Sequence, residues 1–154
     1  MKAAYIEDFN TWKEEFTFSR ELPVRVFETD MFGHVNNTVV FQYFEYIRLG
    51  FMKDSGLMER WAKEGSTTQP VVADIQCYYV RQVFFGETLT LYIKPHVIGN
   101  SSVDLHYKVE NDKGEIVYVG RGALVQVNRE TGRGEAWDEE AREIFLSYGA
   151  KERK

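Results

Sequence analysis

Four stretches rich in Val, Ile, Tyr and Phe, at 71–83, 88–98, 103–110 and 115–127, follow one another through the second half of the chain. Only Phe85-Gly86-Glu87, Gly99-Asn100-Ser101 and Asn111-Asp112-Lys113-Gly114 separate them. A parallel pair needs a crossover of a dozen or more residues, so these strands must run antiparallel. The last connection is a strong hairpin signal. Ahead of the sheet lies a mostly apolar stretch, 38–55. Wound at 3.6 residues per turn, it gathers Thr38, Gln42, Glu45 and Lys53 on one narrow polar stripe. The β-branched run Thr38-Val39-Val40 favours a strand locally, but the length and the stripe favour a helix, with Gly56 as its C′ residue. A helix with so wide an apolar face should be largely buried. The pattern is therefore α+β: one buried helix followed by a run of antiparallel strands.

The flanks add less. Tyr5, Ile6, Phe9, Trp12 and Phe16 recur at roughly helical spacing over 5–15 and predict a short amphipathic helix outside the sheet. Val24–Phe27 reads as a first strand. Gly132 and Gly134 should end the sheet, and Asp138 should cap a last helix, about 138–149, with Glu139 and Glu140 in its positive first turn. A chain of 154 residues, 44% hydrophobic and without internal repeats, suits a single domain over 1–154 with its core at 17–128.

The loop between the first strand and the long helix, Glu28-Thr29-Asp30-Met31-Phe32-Gly33-His34-Val35-Asn36-Asn37, carries the most chemistry. It sets a carboxylate, a sharp turn permitted by glycine and a helix N-terminus side by side. The unpaired N–H groups of a helix start attract negative charge. A carboxylate beside them can attack a carbonyl, or activate water against it, while the donors hold the oxyanion. Asp, Gly and Asn in a loop also make ordinary Asx-turns and caps, and the residues alone leave that open.

Other chemistries find no support. There is no Gly-x-Ser-x-Gly elbow, phosphate-binding loop, dinucleotide fingerprint or His-Glu-x-x-His pair. His34, His96 and His106 are far apart in sequence, and no Cys/His cluster suggests zinc, so neither metal nor cofactor is expected. His96 and His106 fall in strands, where surface or packing roles are the default. Cys77 is the single cysteine, excludes an internal disulfide and fits a reducing compartment. With no signal peptide or apolar bilayer span in view, a cytoplasmic protein with no membrane partner is expected. A net charge of −5 argues against nucleic acid.

Asp30-x-x-Gly33-His34-Val35-Asn36-Asn37, followed by Val40-Phe41-Gln42-Tyr43-Phe44-Glu45-Tyr46-Ile47-Arg48, closely resembles the opening of the 4-hydroxybenzoyl-CoA thioesterase-like family of hot-dog proteins. Tyr79-Val80-Arg81-Gln82-Val83, then Gly86-Glu87-Thr88-Leu89 and Ile98-Gly99-Asn100-Ser101-Ser102-Val103, continue the likeness in order. It implies a five-stranded sheet around one helix and an acyl-CoA thioesterase. Its nucleophile or general base would be Asp30, and the backbone N–H of Asn37 would hold the carbonyl oxygen. Gly33 would let the backbone turn. His34, Val35, Asn36, Glu45 and Arg81 are the substrate-side candidates. An ordinary helix-surface ion pair with Arg48 is the plain alternative for Glu45. Coenzyme A would be substrate, not cofactor.

Two departures qualify the likeness. Gln82 stands where the family often has proline. The turn at Ile98–Ser102, near which several relatives hold CoA phosphates with basic residues, is uncharged, which leaves Arg81, Arg129, Arg133 or backbone donors. An acyl-carrier-protein thioester therefore stays open as substrate, as does a non-catalytic acyl-binding module. Hot-dog dehydration wants a His/acid pair that no motif supplies. An exposed sheet edge, apolar on both faces at Cys77-Tyr78-Tyr79-Val80, predicts a homodimer or homotetramer with the site at the interface.

Overall fold

A computed structural model describes residues 3–154. In chain order the elements are α1 (Phe9–Glu14), β1 (Phe18–Pro23), α2 (Val39–Ser55), α3 (Leu57–Ala62), β2 (Thr68–Val72), β3 (Gln76–Tyr79), β4 (Thr88–Ile98), β5 (Ser102–Glu110), β6 (Ile116–Asn128), α4 (Glu139–Ser147) and β7 (Lys151–Glu152). The sheet runs β1-β4-β5-β6-β2 and is antiparallel along that path. β3 pairs with β6 in line with β2, and the two-residue β7 pairs parallel with β4. The five-stranded hot-dog arrangement is present, with its last edge in two pieces.

Packing explains the wrap. Val40, Tyr43, Phe44, Ile47 and Phe51 of α2 are buried against Leu91, Leu105, Tyr107, Val109 and Val117 in one core cluster. Phe44 stacks on Tyr107 with ring centres 4.4 Å apart. Gly120 makes this approach possible. A Cβ there would lie 2.5 Å from the Phe44 ring and 2.6 Å from the Gln76 carbonyl oxygen. Gly56 ends α2 in the left-handed region, as a C′ glycine should, but the chain winds on directly as α3, which the sequence pattern did not announce.

Alternation along β5 sends Val103, Leu105, Tyr107 and Val109 inward and Asp104, His106, Lys108 and Glu110 outward. The outward residues are not all wet, because α1 covers them. The Trp12 indole N–H donates to His106 Nδ1 at 2.8 Å, and His106 Nε2 lies 2.9 Å from Asp104. Arg121 donates to Asp104 at 2.7 Å and to Asp74 at 2.9 Å. His106 is thus a fully buried, sheet-packing histidine. The expected outer helix exists, though only Phe9–Glu14 of the 5–15 span is helical.

Three further expectations need correction. Val24–Phe27 is not a strand: β1 ends at Pro23, and Val26–Glu28 forms a 3₁₀ turn because the Glu28 carboxylate closes on the Arg25 N–H at 2.8 Å. The 71–83 run is not continuous. Asp74 turns its carboxylate onto the Ala123 N–H at 2.7 Å, interrupting the ladder between β2 and β3. Arg48 makes no pair with Glu45. It is 8% exposed and donates to the Tyr107 hydroxyl at 3.0 Å, inside the fold. The last helix begins where expected, with Asp138 capping the Ala141 N–H at 2.9 Å.

Candidate active site

The loop leading into α2 is built on a buried acid. Glu28 is 2% exposed. It accepts from the Arg25 N–H, from the Arg25 guanidinium at 2.7 Å and from the Tyr43 hydroxyl at 3.2 Å. Burial would raise its carboxyl, but the Arg25 bonds outweigh that and hold it below the usual range. Its oxygens are occupied, so Glu28 is an anchor for the loop, not a free base.

Beyond it the chain doubles back within five residues. The Asp30 N–H donates to the His34 carbonyl at 2.8 Å, and the Gly33 N–H to the Asp30 carbonyl at 3.1 Å. The Asp30 carboxylate accepts from the Phe32 N–H at 2.9 Å, an Asx-turn. Gly33 has φ of +85° with open space where a Cβ would stand, so it is required for its backbone and not for room. Val35 N–H donates to the Val83 carbonyl at 2.7 Å, tying the doubled loop to the strand-like segment before β4.

The helix start is clamped from several sides. Asn36 N–H donates to the Glu28 carbonyl at 2.9 Å, and the Asn36 carbonyl accepts from Val39 N–H at 3.0 Å. The Asn36 side chain caps the Thr38 N–H at 3.0 Å. The Tyr79 hydroxyl, from β3, donates to the Asn37 carbonyl at 2.7 Å. The Asn37 N–H has no acceptor among the described residues.

Asp30, His34, Val35, Asn37, Tyr79 and Arg81 line one cleft of about 430 Å³, together with Phe32 and Tyr118. His34 Nδ1 lies 3.4 Å from the second Asp30 oxygen. The ring sits between Phe32 and Phe84, whose centres are 6.2 and 6.1 Å away. Arg81 is the cation at this cleft. Its side chain is 56% exposed and stands 3.7 Å from Glu115. Arg129 is already engaged, since it donates to the carbonyls of Thr68 and Trp61 at 2.9 and 2.7 Å.

The structure thus brings Asp30, His34, Val35, Asn37 and Arg81 together, with Gly33 shaping the turn. Asn36 is a cap behind the cleft. Glu45 is exposed on the flank of α2 and does not line it. Tyr79 is the cleft residue that the sequence reading did not single out. It read as one aromatic in an apolar strand, and a contact across 42 positions leaves no local signal. A larger groove of about 850 Å³ lies between α3, the start of β2 and α4, but Arg60 there is neutralised by Asp138 and by Glu140 at 2.8 Å. The smaller cleft is the one that sets the Asp30 carboxylate beside the N–H of Asn37 at the start of α2. No group of three or more His, Cys, Asp or Glu suited to a metal occurs among the described residues.

A curled antiparallel sheet around one long helix is the hot-dog architecture of thioesterase-like proteins. Residues 24–145 match the Thioesterase-like superfamily, and the chain belongs to that family. It is 42% identical over 144 residues to the uncharacterized protein YsmA of Bacillus subtilis, covering 93% of this chain and 95% of that one. A predicted thioesterase from Bacillus stearothermophilus superposes with a TM-score of 0.76 at 27% identity, over 89% of this chain and 98% of that one. A thioesterase from Thermus thermophilus, solved in complex with coenzyme A and Zn, superposes with a TM-score of 0.73 at 27% identity, over 88% and 96%. Family and fold together support thioester hydrolysis as the class of chemistry. Among the described residues, no helix is long and apolar enough to cross a membrane.

Proposed function

We propose that this protein is a cytoplasmic acyl-CoA thioesterase that hydrolyses an acyl-CoA to the free acid and coenzyme A. The observation that carries the reading is the pairing, in one cleft, of the Asp30 carboxylate with the unpartnered Asn37 N–H. With the thioester carbonyl oxygen on that N–H, Asp30 takes a proton from water as hydroxide adds to the carbonyl carbon, or adds to that carbon itself. In the first case the carbon–sulfur bond breaks and the thiolate leaves with the proton that Asp30 took. In the second, its breaking leaves a mixed anhydride on Asp30, which water then hydrolyses to the free acid, restoring the Asp30 carboxylate and giving the thiolate its proton. A thioester is already activated, so one oriented base and one oxyanion donor suffice; such a donor typically contributes about 3 kcal/mol. Arg81, a half-exposed cation in the cleft lining, is the proposed contact for a CoA phosphate. The Thermus thermophilus relative bound to coenzyme A supports this substrate.

The assembly proposed is a homodimer or homotetramer. Among the described residues, the outer edge made by β2 and β3 has no strand beside it, and Val71, Val72, Tyr78, Tyr79 and Val80 on it are 36–48% exposed. A second copy of the same edge satisfies both its backbone groups and its apolar side chains. Because Tyr79 and Arg81 stand on or beside that edge, the pairing would complete the cleft with residues of the partner.

The test is thiol release across short, long, branched and aromatic acyl-CoAs and acyl-carrier-protein thioesters, with and without exhaustive chelation. Release from acyl-CoA that survives EDTA is expected. Release confined to carrier-protein thioesters reassigns the substrate. Tight acyl-CoA binding with no release from any thioester makes the protein a binding module and refutes the proposal.

A further inference from the structure

Resting on the thioesterase reading, we infer that Tyr79 is a positioning residue. Its hydroxyl holds the oxyanion-binding turn from the opposite wall of the cleft and makes the turn's geometry depend on the β3 edge strand. The argument starts from the two peptide groups that flank Asn37. The first, between Asn36 and Asn37, carries the free N–H, and its carbonyl is fixed by Val39 N–H at 3.0 Å. The second, between Asn37 and Thr38, is held at its N–H by the Asn36 side chain at 3.0 Å and at its carbonyl by the Tyr79 hydroxyl at 2.7 Å. The rotation of the first peptide relative to the second sets where the Asn37 N–H points. The other clamps on residues 36–38 come from the turn itself, from the first turn of α2 or from the Glu28 carbonyl just upstream. Among the described residues, Tyr79 is the one that comes from the sheet.

The plain alternative is that Tyr79 merely fills the wall. Two features argue against it. Within one chain the side chain is 48% exposed, so packing alone does not dictate where its hydroxyl points. It nevertheless directs its single proton to a helix-start carbonyl. Its ring is steadied in turn by Tyr118, edge to face at 5.9 Å. A preorganised donor is most effective when it does not have to reorient as charge develops. A hydrogen bond that fixes its orientation should therefore appear in the rate of the chemical step and not in the affinity for substrate.

Tyr79→Phe removes the hydroxyl and keeps the ring. The expected result is a fall of about tenfold in kcat. KM should stay within about twofold, with the same factor for every acyl chain tested and melting unchanged within about 2 °C. Unchanged kcat overturns the inference. A raised KM with intact kcat also overturns it, because it makes Tyr79 a substrate contact. A second measurement is independent of turnover: amide hydrogen exchange at Thr38 should speed up in Tyr79→Phe, while exchange at Val35 should not. Unaltered exchange at Thr38 refutes the clamp even in a protein that hydrolyses nothing. Thiol release lost in Asp30→Asn but normal in Tyr79→Phe refutes the inference and leaves the thioesterase reading standing.

Discussion

Asp30→Asn separates chemistry from architecture, because the structure predicts opposite magnitudes for the two. The Asx-turn oxygen that accepts from Phe32 N–H at 2.9 Å is retained by asparagine, and the backbone bonds that close the loop do not involve the side chain. What is lost is the charge facing His34 at 3.4 Å, with both side chains 26% exposed. A contact that solvent reaches from both partners contributes at most about 1 kcal/mol. The melting temperature should therefore move by no more than about 4 °C. Turnover should fall at least about 100-fold, the scale of a lost acid–base group, equivalent to about 2.7 kcal/mol in the barrier. Purified wild-type and variant protein would be compared by chromogenic thiol release at saturating acyl-CoA, with melting followed on the same samples. Near-normal turnover in a folded variant refutes the reasoning. Neither nearby acid is placed to take over, since the Glu28 oxygens are saturated by Arg25 and Tyr43 and Glu45 lies outside the cleft.

Three further outcomes are expected. Gly120→Ala should destabilise by about 1–3 kcal/mol through the clash with Phe44 and the Gln76 carbonyl, lowering the melting temperature by about 3–10 °C, and an unchanged melting temperature would refute the close approach. Stability should fall as pH drops from about 6.5 towards 4. Burial, with His106 and Lys94 nearby, pushes His96 down to about 4 despite Asp104 and Glu15, and burial also lowers His106, so the unfolded chain takes up protons the folded one refuses. Melting measured across that window should be flatter in His96→Asn, and an equal slope would remove His96 from the explanation. Sedimentation should show at least a dimer, and mixing an Asp30→Asn chain with a chain disabled only on the pocket face it lends to its partner should restore up to one working site if the cleft is shared; a fully active monomer rules the assembly out.

The sequence was most legible where one physical requirement acted locally. Short connections dictated antiparallel strands, and the observed β4, β5 and β6 lie within a residue or so of the expected runs. Asp138 announced the last helix through its cap. Legibility failed where a distant group overrode the local pattern. The apolar run at 71–83 looks continuous, but Asp74 competes for the Ala123 N–H and breaks it. Val24–Phe27 has strand composition, yet Glu28 folds back on Arg25 and coils it. Arg48 looked like a surface partner for Glu45 because no local pattern reveals Tyr107 across the core. At the site, the carboxylate and the turn glycine were readable from spacing, and the hydroxyl of Tyr79 was not, since its acceptor is a main-chain atom.

That last point bears on how such a protein tolerates change. The donor assigned to Asn37 is part of the peptide linkage, which every amino acid except proline carries. Side-chain substitution at 37 therefore leaves the donor in place, and an alanine scan would pass over the position silently. Variation can accumulate there while the working group persists. If the proposed role holds, the residues under constraint are the ones that aim it: Asn36 through its cap, Tyr79 through its hydroxyl, Gly33 through its left-handed backbone and Glu28 from beneath the loop. Only a chemical edit of the main chain, an ester in place of the amide preceding residue 37, would delete the donor without disturbing any side chain.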